Sequence, residues 1–166
     1  MTQFSSSPQA VEDSFLYLSE EPIEVADLLS KSHHSKCGAV VLFSGEVRDS
    51  SDQREVIHLE YEAQPALATK MMREIIADAR KKWPLHIAVA QHRTGKVTVG
   101  EAAVVVITAT PHRKEAYDAN RYIIDRIKHE VPIWKCEYFA DGSHEWGGNC
   151  NCQKVTGDPS KHIYEF

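Results

Sequence analysis

Ala103-Val104-Val105-Val106-Ile107-Thr108, then Pro111-His112-Arg113, then a polar-apolar run to Glu130 and Pro132-Ile133-Trp134-Lys135-Cys136, is the stretch that decides the fold. The Val-rich run reads as a buried strand, because β-branched side chains suit a pleated surface covered on both faces. From Arg113 onward Ala116, Ala119, Ile123 and Ile127 recur every three or four residues, which predicts a helix to Glu130. Pro132 forbids its continuation, and Ile133 to Phe139 returns as a strand.

Working outward, Pro65 opens a second long helix. Leu67, Met71, Ile75 and Ala79, flanked by Ala68, Met72 and Ile76, form its buried stripe, opposite Lys70, Arg73, Glu74, Asp78, Lys81 and Lys82. The two methionines belong to core packing. Ala39 to Val47 is a β-rich run without an interior proline and predicts a central strand. Asp49 to Glu55 is polar and reads as a mobile loop. Val56 to Ala63 alternates, placing Ile57, Leu59 and Tyr61 on one face and His58, Glu60 and Glu62 on the other. Leu85 to Gln91 is a further strand, Gly95 and Gly100 bracket a short turn and strand, and Asp141-Gly142 is a turn. Phe15 to Leu18 predicts a short strand, and Ser19-Glu20-Glu21-Pro22 the start of a short helix through Val25, Leu28 and Leu29. The expected fold is α+β: a single domain over 14–146, with a largely antiparallel sheet, two long packing helices and a short N-terminal helix. A disordered tail is expected over 1–13, and an irregular one over 147–166.

The chain has 166 residues, a length that suits one domain. Its longest uncharged apolar-rich runs, Cys37 to Gly45 and Ala102 to Pro111, are far shorter than the ~20 residues of a membrane-crossing helix. The N-terminus lacks the pattern of a signal peptide, so a cytoplasmic protein is expected. A formal charge of −5 argues against a general nucleic-acid binder. The four cysteines, Cys37, Cys136, Cys150 and Cys152, read as reduced thiols. Cys136, Cys150 and Cys152 with His144 match no common zinc spacing, so no metal site is expected.

Several basic residues fall at element ends. Arg48 follows Phe43-Ser44-Gly45-Glu46-Val47, where Gly45 permits close backbone approach and Phe43 offers an aromatic edge. His92-Arg93 ends the strand that begins at Leu85, and His112-Arg113 stands at the start of a helix, a natural anion site. Lys128 lies at the margin of its helix's apolar face, and Lys135 one strand period past Ile133. Singly, each has a structural role to hand: Lys128 as a snorkelling side chain, Arg48 as a solvated loop residue, His112 as a helix cap. Together they imply a pocket for a phosphorylated or carboxylated ligand, in an enzyme or a binding module.

Five strings occur in order: Phe43-Ser44-Gly45-Glu46-Val47-Arg48, Leu59-Glu60-Tyr61-Glu62-Ala63, His92-Arg93-Thr94-Gly95, His112-Arg113-Lys114-Glu115-Ala116, and Lys128 through Val131-Pro132-Ile133-Trp134-Lys135-Cys136-Glu137. In these, over roughly 15–140, the chain closely resembles the large, catalytic subunits of molybdopterin synthases. The resemblance implies a sulfurtransferase of molybdenum cofactor biosynthesis that converts cyclic pyranopterin monophosphate to a dithiolene. Sulfur would arrive on a small ubiquitin-like subunit with a C-terminal Gly-Gly thiocarboxylate. Because this chain ends Tyr164-Glu165-Phe166, it would receive that tail and not supply it. It would dimerise, with a small subunit at each end giving a heterotetramer, and would need no cofactor. The resemblance assigns catalysis to Lys128 and Lys135. It assigns substrate binding to Phe43, Glu46-Val47-Arg48, His112-Arg113, Lys128 and Lys135-Cys136-Glu137, with His112 and Arg113 expected to reach into the neighbouring protomer's pocket. The alternative is a non-catalytic module that binds a ubiquitin-like tail or an anionic ligand.

A mechanism with partner-borne sulfur requires no cysteine nucleophile. Replacing all four cysteines by serine is therefore expected to leave sulfur transfer largely intact, with a modest loss of stability from Cys37. The check is an assay supplied only with purified thiocarboxylated partner. Activity lost in the folded quadruple variant, and regained on restoring one cysteine, would contradict it.

Overall fold

The computed structural model describes residues 16–148. The expectations for 1–13, Phe15, Cys150, Cys152 and the C-terminal tail beyond Gly148 lie outside these residues. The elements run β1 (Leu18–Ser19), α1 (Val25–Ser30), β2 (Ala39–Glu46), β3 (Ser50–Ser51), β4 (Arg54–Ala63), α2 (Pro65–Lys82), β5 (Ile87–Arg93), β6 (Gly95–Thr98), β7 (Ala102–Thr110), α3 (Arg113–Glu130), β8 (Ile133–Phe139) and β9 (His144–Gly148). They form the mixed, mostly antiparallel single domain that the sequence predicts, with the strands divided between two sheets. One has the order β1-β5-β7-β2, the other β3-β4-β8-β9 with β6 also paired to β4. Of the described pairings only β1 with β5 is parallel.

Every residue of β5 and β7 is buried, as their Val- and Ala-rich runs require. Packed on β7 and β2 is α3, which also meets α2. Two buried polar groups fix its seat. The Asn120 amide donates to the main-chain oxygens of Val41 and Val106, each at 3.0 Å, and Thr108 Oγ1 donates to the Ala116 oxygen at 2.7 Å. Helix α2 starts where Gln64 accepts from the Leu67 N–H at 2.6 Å and Pro65 takes a position whose missing N–H costs nothing. Its inner stripe is Ala68, Met72, Ile75, Ile76 and Ala79, while Leu67 remains 46% exposed at one margin.

Five local expectations need correction. β2 is an edge strand and not a central one, since among the described strands it pairs only with β7. An unbroken apolar run reports burial of side-chain faces, not pairing along both edges. Helix α1 begins at Val25, because Ser19 is used by β1, opposite Arg93, and its hydroxyl donates to the Glu21 carbonyl. Asp49 to Glu55 contains an ordered hairpin, β3 to β4, turned by Asp52 and Gln53 at φ 49° and 65°. Two consecutive left-handed residues give the twist that a two-residue hairpin needs. Ile57 is 48% exposed because a bulge between Val56 and His58 shifts the alternation, leaving Val56, Leu59 and Tyr61 inside. Cys136, fully buried, is the core thiol, whereas Cys37 is half-buried, so the larger cost of a serine replacement moves to Cys136. Strand β9, unannounced by any alternation, is built by pairing with β8 and by the Arg54–Glu145 ion pair.

Asn120→Ala leaves one buried carbonyl, of Val106, and one part-buried carbonyl, of Val41, without their amide donor. A loss of about 1–3 kcal/mol is expected, read as a lower urea midpoint with unchanged slope. An unchanged midpoint would show that the bridge carries no stability.

Candidate active site

A cavity of ≈ 810 Å³ opens between the end of β2, the β3–β4 hairpin, the inner faces of β4 and β8, and the last turn of α3. The chain reaches it through Gly45. A Cβ there would stand 2.8 Å from Val104 Cγ1 and 3.2 Å from Phe43, so only glycine lets β2 lie this close to β7. Val47 is then pinned through its N–H to the Glu101 oxygen at 3.0 Å and through its own oxygen to the Gly100 N–H at 2.8 Å. This sets exposed Glu46 and Arg48 at the cavity's edge on either side of a buried anchor.

Lys135 stands opposite Tyr61 in the β4–β8 ladder, and Glu137 lies two residues on, so all three side chains share the inner face. Lys135 Nζ is 3.5 Å from Glu137 Oε1, in a pair whose side chains are only 18% and 10% exposed. Ser51, from the hairpin, donates to the same carboxylate at 3.1 and 3.3 Å. Burial, with the charge of Glu137 second, pushes the Tyr61 phenol up to about 12, so it stays protonated.

Lys128 enters from α3. Burial first, and then the positive charge of Lys135, hold its pKa below the ordinary lysine value, with Asp125 acting the other way. Beside it His92 is 1% exposed, and burial pushes its imidazole down to about 4, with the Lys128 charge adding to the effect. The cavity therefore joins two crowded ammonium groups, a rim guanidinium, a neutral imidazole and a phenol to an apolar wall that includes Leu59 and Val104. Such a surface suits a flat ligand carrying negative charge.

Of the residues expected at the site, Glu46, Val47, Arg48, Lys128, Lys135 and Glu137 line this cavity. Phe43 packs against the core beside Gly45. Cys136 is buried on the opposite face of β8 from Lys135, and burial pushes its thiol up. His112 and Arg113 are exposed at the other end of α3. His112 occupies the N-cap position with extended backbone, yet its side chain makes no capping bond. His92, one of the basic residues at element ends that the sequence singles out, is a wall residue too, and with it stand Tyr61, Ser50, Ser51 and Asp52, which local sequence patterns did not select. Their signal lies in long-range pairing, although His92 and Tyr61 do fall inside the family strings. Among the described residues no group of three His, Cys, Asp or Glu side chains is arranged to hold a metal ion.

A lysine whose folded-state pKa lies below its unfolded value weakens the fold while protonated, and stability recovers as pH rises through the folded value. Lys128→Met is therefore expected to be at least as stable as the parent at neutral pH, with the difference narrowing at alkaline pH. Urea titrations at both pH values check this. A clearly less stable Lys128→Met would contradict the reading of Lys128 as a strained cation.

The model for the family described as MoaE protein matches residues 18–130. A molybdopterin synthase catalytic subunit of Aedes aegypti is 40% identical over 153 residues, covering 90% of this chain and 98% of the relative. One of Bacillus subtilis is 40% identical over 132 residues, covering 80% and 83%. The crystal structure of molybdopterin synthase from Staphylococcus aureus superposes with a TM-score of 0.74 at 38% identity, over 80% of this chain and 96% of that one. With the family model spanning most of the domain and relatives matched nearly end to end, this chain belongs to the MoaE protein family.

Proposed function

We propose that this chain is the catalytic subunit of a molybdopterin synthase, with Lys128 and Lys135 as its catalytic residues. The observation that carries the assignment is their convergence, from α3 and from β8, in one cavity with Arg48 at its rim. The substrate, cyclic pyranopterin monophosphate, and the thiocarboxylate tail of the small ubiquitin-like partner are both anions that must meet. Fixed cations offset their repulsion and stabilise charge on a tetrahedral centre as sulfur is transferred. Lys135, held by Glu137, is suited to a fixed electrostatic role. Lys128, with its lowered pKa, is suited to holding the tail's carbonyl or moving a proton. Arg48 supplies a planar fork for phosphate. Supported by the two described cysteines, both free thiols, the proposed compartment is the cytoplasm; among the described residues no helix is long and apolar enough to cross a membrane.

The ends of α3 bear on the assembly. Arg113 and Lys128 are separated by about 22 Å at ~1.5 Å per residue, too far to grip one small molecule from a single chain. His112 and Arg113 therefore serve the pocket of a dimer mate, and a small subunit at each end completes a heterotetramer.

The test combines the purified chain, thiocarboxylated partner and pyranopterin, and measures dithiolene product. Lys128→Ala and Lys135→Ala are each expected to fold and lose most activity. Near-parental turnover in both would favour a non-catalytic binding module. Arg48→Ala and Arg113→Ala are expected to weaken substrate binding. A mixed dimer of Lys128→Ala with Arg113→Ala contains one intact pocket only if Arg113 acts across the interface, so recovered activity supports the shared site and none contradicts it.

A further inference from the structure

Arg93 is a buried cation that does not line the cavity. Its neighbour His92 does, so alternation along β5 turns Arg93 to the other side, where its side chain is only 5% exposed. Its main chain is set against β1, opposite Ser19, whose oxygen accepts from the Thr94 N–H at 2.9 Å. Nη2 donates to the Lys96 main-chain oxygen at 2.8 Å, and Nη1 stands 3.8 Å from Glu101 Oε2. Among the described residues Nε and Nη1 make no hydrogen bond. A guanidinium buried with donors unused costs stability that an apolar side chain of the same volume would not. An apolar side chain could not, however, hold a carbonyl of β6 and face a carboxylate at the threshold of β7. The first strand belongs to the second sheet and the other to the first, so Arg93 spans the junction between them.

The carboxylate it faces organises the turn between β6 and β7. Glu101 Oε2 accepts from the Thr98 N–H at 2.8 Å, and the Glu101 N–H donates to the Thr98 oxygen at 3.1 Å, with Gly100 left-handed at φ 86° between them. Hydrogen bonds from Thr98, and after them the Arg93 charge, hold the Glu101 carboxyl below its ordinary value against the effect of burial. This is the turn that pins Val47, whose N–H donates to the Glu101 oxygen at 3.0 Å and whose oxygen accepts from the Gly100 N–H at 2.8 Å. Arg48 follows directly at the cavity rim, so the backbone of Val47 sets where its exposed side chain starts.

We propose that Arg93 is a positioning residue for Arg48: through the Glu101 carboxylate and the 98–101 turn it fixes Val47, and so aims the Arg48 guanidinium at the substrate's phosphate. The proposal rests on the assignment of Arg48 to that phosphate, and its first test requires neither substrate nor turnover. Arg93→Met keeps much of the volume and removes the charge and the donors, whereas Arg93→Lys returns the charge as a single point. In the free protein the Val47 and Gly100 amides are expected to exchange with solvent deuterium about tenfold faster in Arg93→Met, while that of Ile107, in the middle of β7, is unchanged. Arg93→Lys is expected to lie between Arg93→Met and the parent. In turnover, KM for cyclic pyranopterin monophosphate is expected to rise about fivefold or more in Arg93→Met, with kcat within about twofold. Made beside Arg48→Ala, the same change is expected to add less than about twofold to KM, since the group it positions is already gone.

An unchanged Val47 exchange in Arg93→Met, or one raised no more than that of Ile107, overturns the proposal whatever happens to KM. So does a KM effect that persists in full beside Arg48→Ala, because the turn would then act on the substrate by another route. If the parent shows no synthase activity, that failure belongs to the functional assignment, and the Val47 exchange still decides whether Arg93 holds the rim. Should Arg93→Met not fold, Glu101→Ala cuts the same chain at its more exposed end. Faster exchange at Val47 and Gly100 in that variant supports the proposal, and an unchanged rate overturns it.

Discussion

Two like charges held in one partly buried cavity are the constraint around which the rest of the site is arranged. Lys128 and Lys135 repel each other and both lose hydration, so the fold must restrain them from elements that cannot relax apart. Lys128 rides on α3, whose seat on the first sheet is fixed by Asn120 and Thr108. Lys135 is set by the β4–β8 ladder of the second sheet. Under the proposed function, the energy invested in crowding them is returned when an anion binds, which is the usual direction in which a functional site departs from the most stable packing.

The counter-charges are correspondingly unequal. Lys135 has Glu137 at 3.5 Å, itself steadied by Ser51. Lys128 has only Asp125 on its own helix acting in its favour among the named influences on its charge, and burial outweighs it. The two amines thus differ in surroundings despite sharing a cavity: Lys135 is paired with a carboxylate, whereas burial and the neighbouring charge hold Lys128 below the ordinary lysine value. In the proposed function that difference assigns Lys135 the electrostatic role and Lys128 the proton-handling one.

Much of this was legible in the sequence, for identifiable reasons. The helix from Arg113 to Glu130 and the strand from Ile133 to Phe139 keep the limits their periodicity predicts, because their apolar positions report one local geometry. Those limits put Lys128 and Lys135 at the ends of neighbouring elements, while their assignment to a site, with that of Glu137, comes from the family resemblance. Long-range pairing is what local pattern cannot supply. The inward face of Tyr61 depends on a bulge that turns Ile57 outward and on the register that sets Tyr61 against Lys135. Ser51 reaches Glu137 only because two left-handed residues close a hairpin in a stretch whose polarity suggested mobility. Likewise, β2 reads as a central strand until its partners are known. His112 and Arg113 were expected at the pocket, and within one chain the length of α3 keeps them from it.

The most direct measurement of the central claim is the titration of the Lys128 side chain, followed by NMR of its ε-carbon in selectively labelled protein with and without cyclic pyranopterin monophosphate. The account predicts that Lys128 titrates below an ordinary lysine in the free protein and moves upward when the anion fills the cavity. A Lys128 that titrates as an exposed lysine, and does not respond to the ligand, would contradict it.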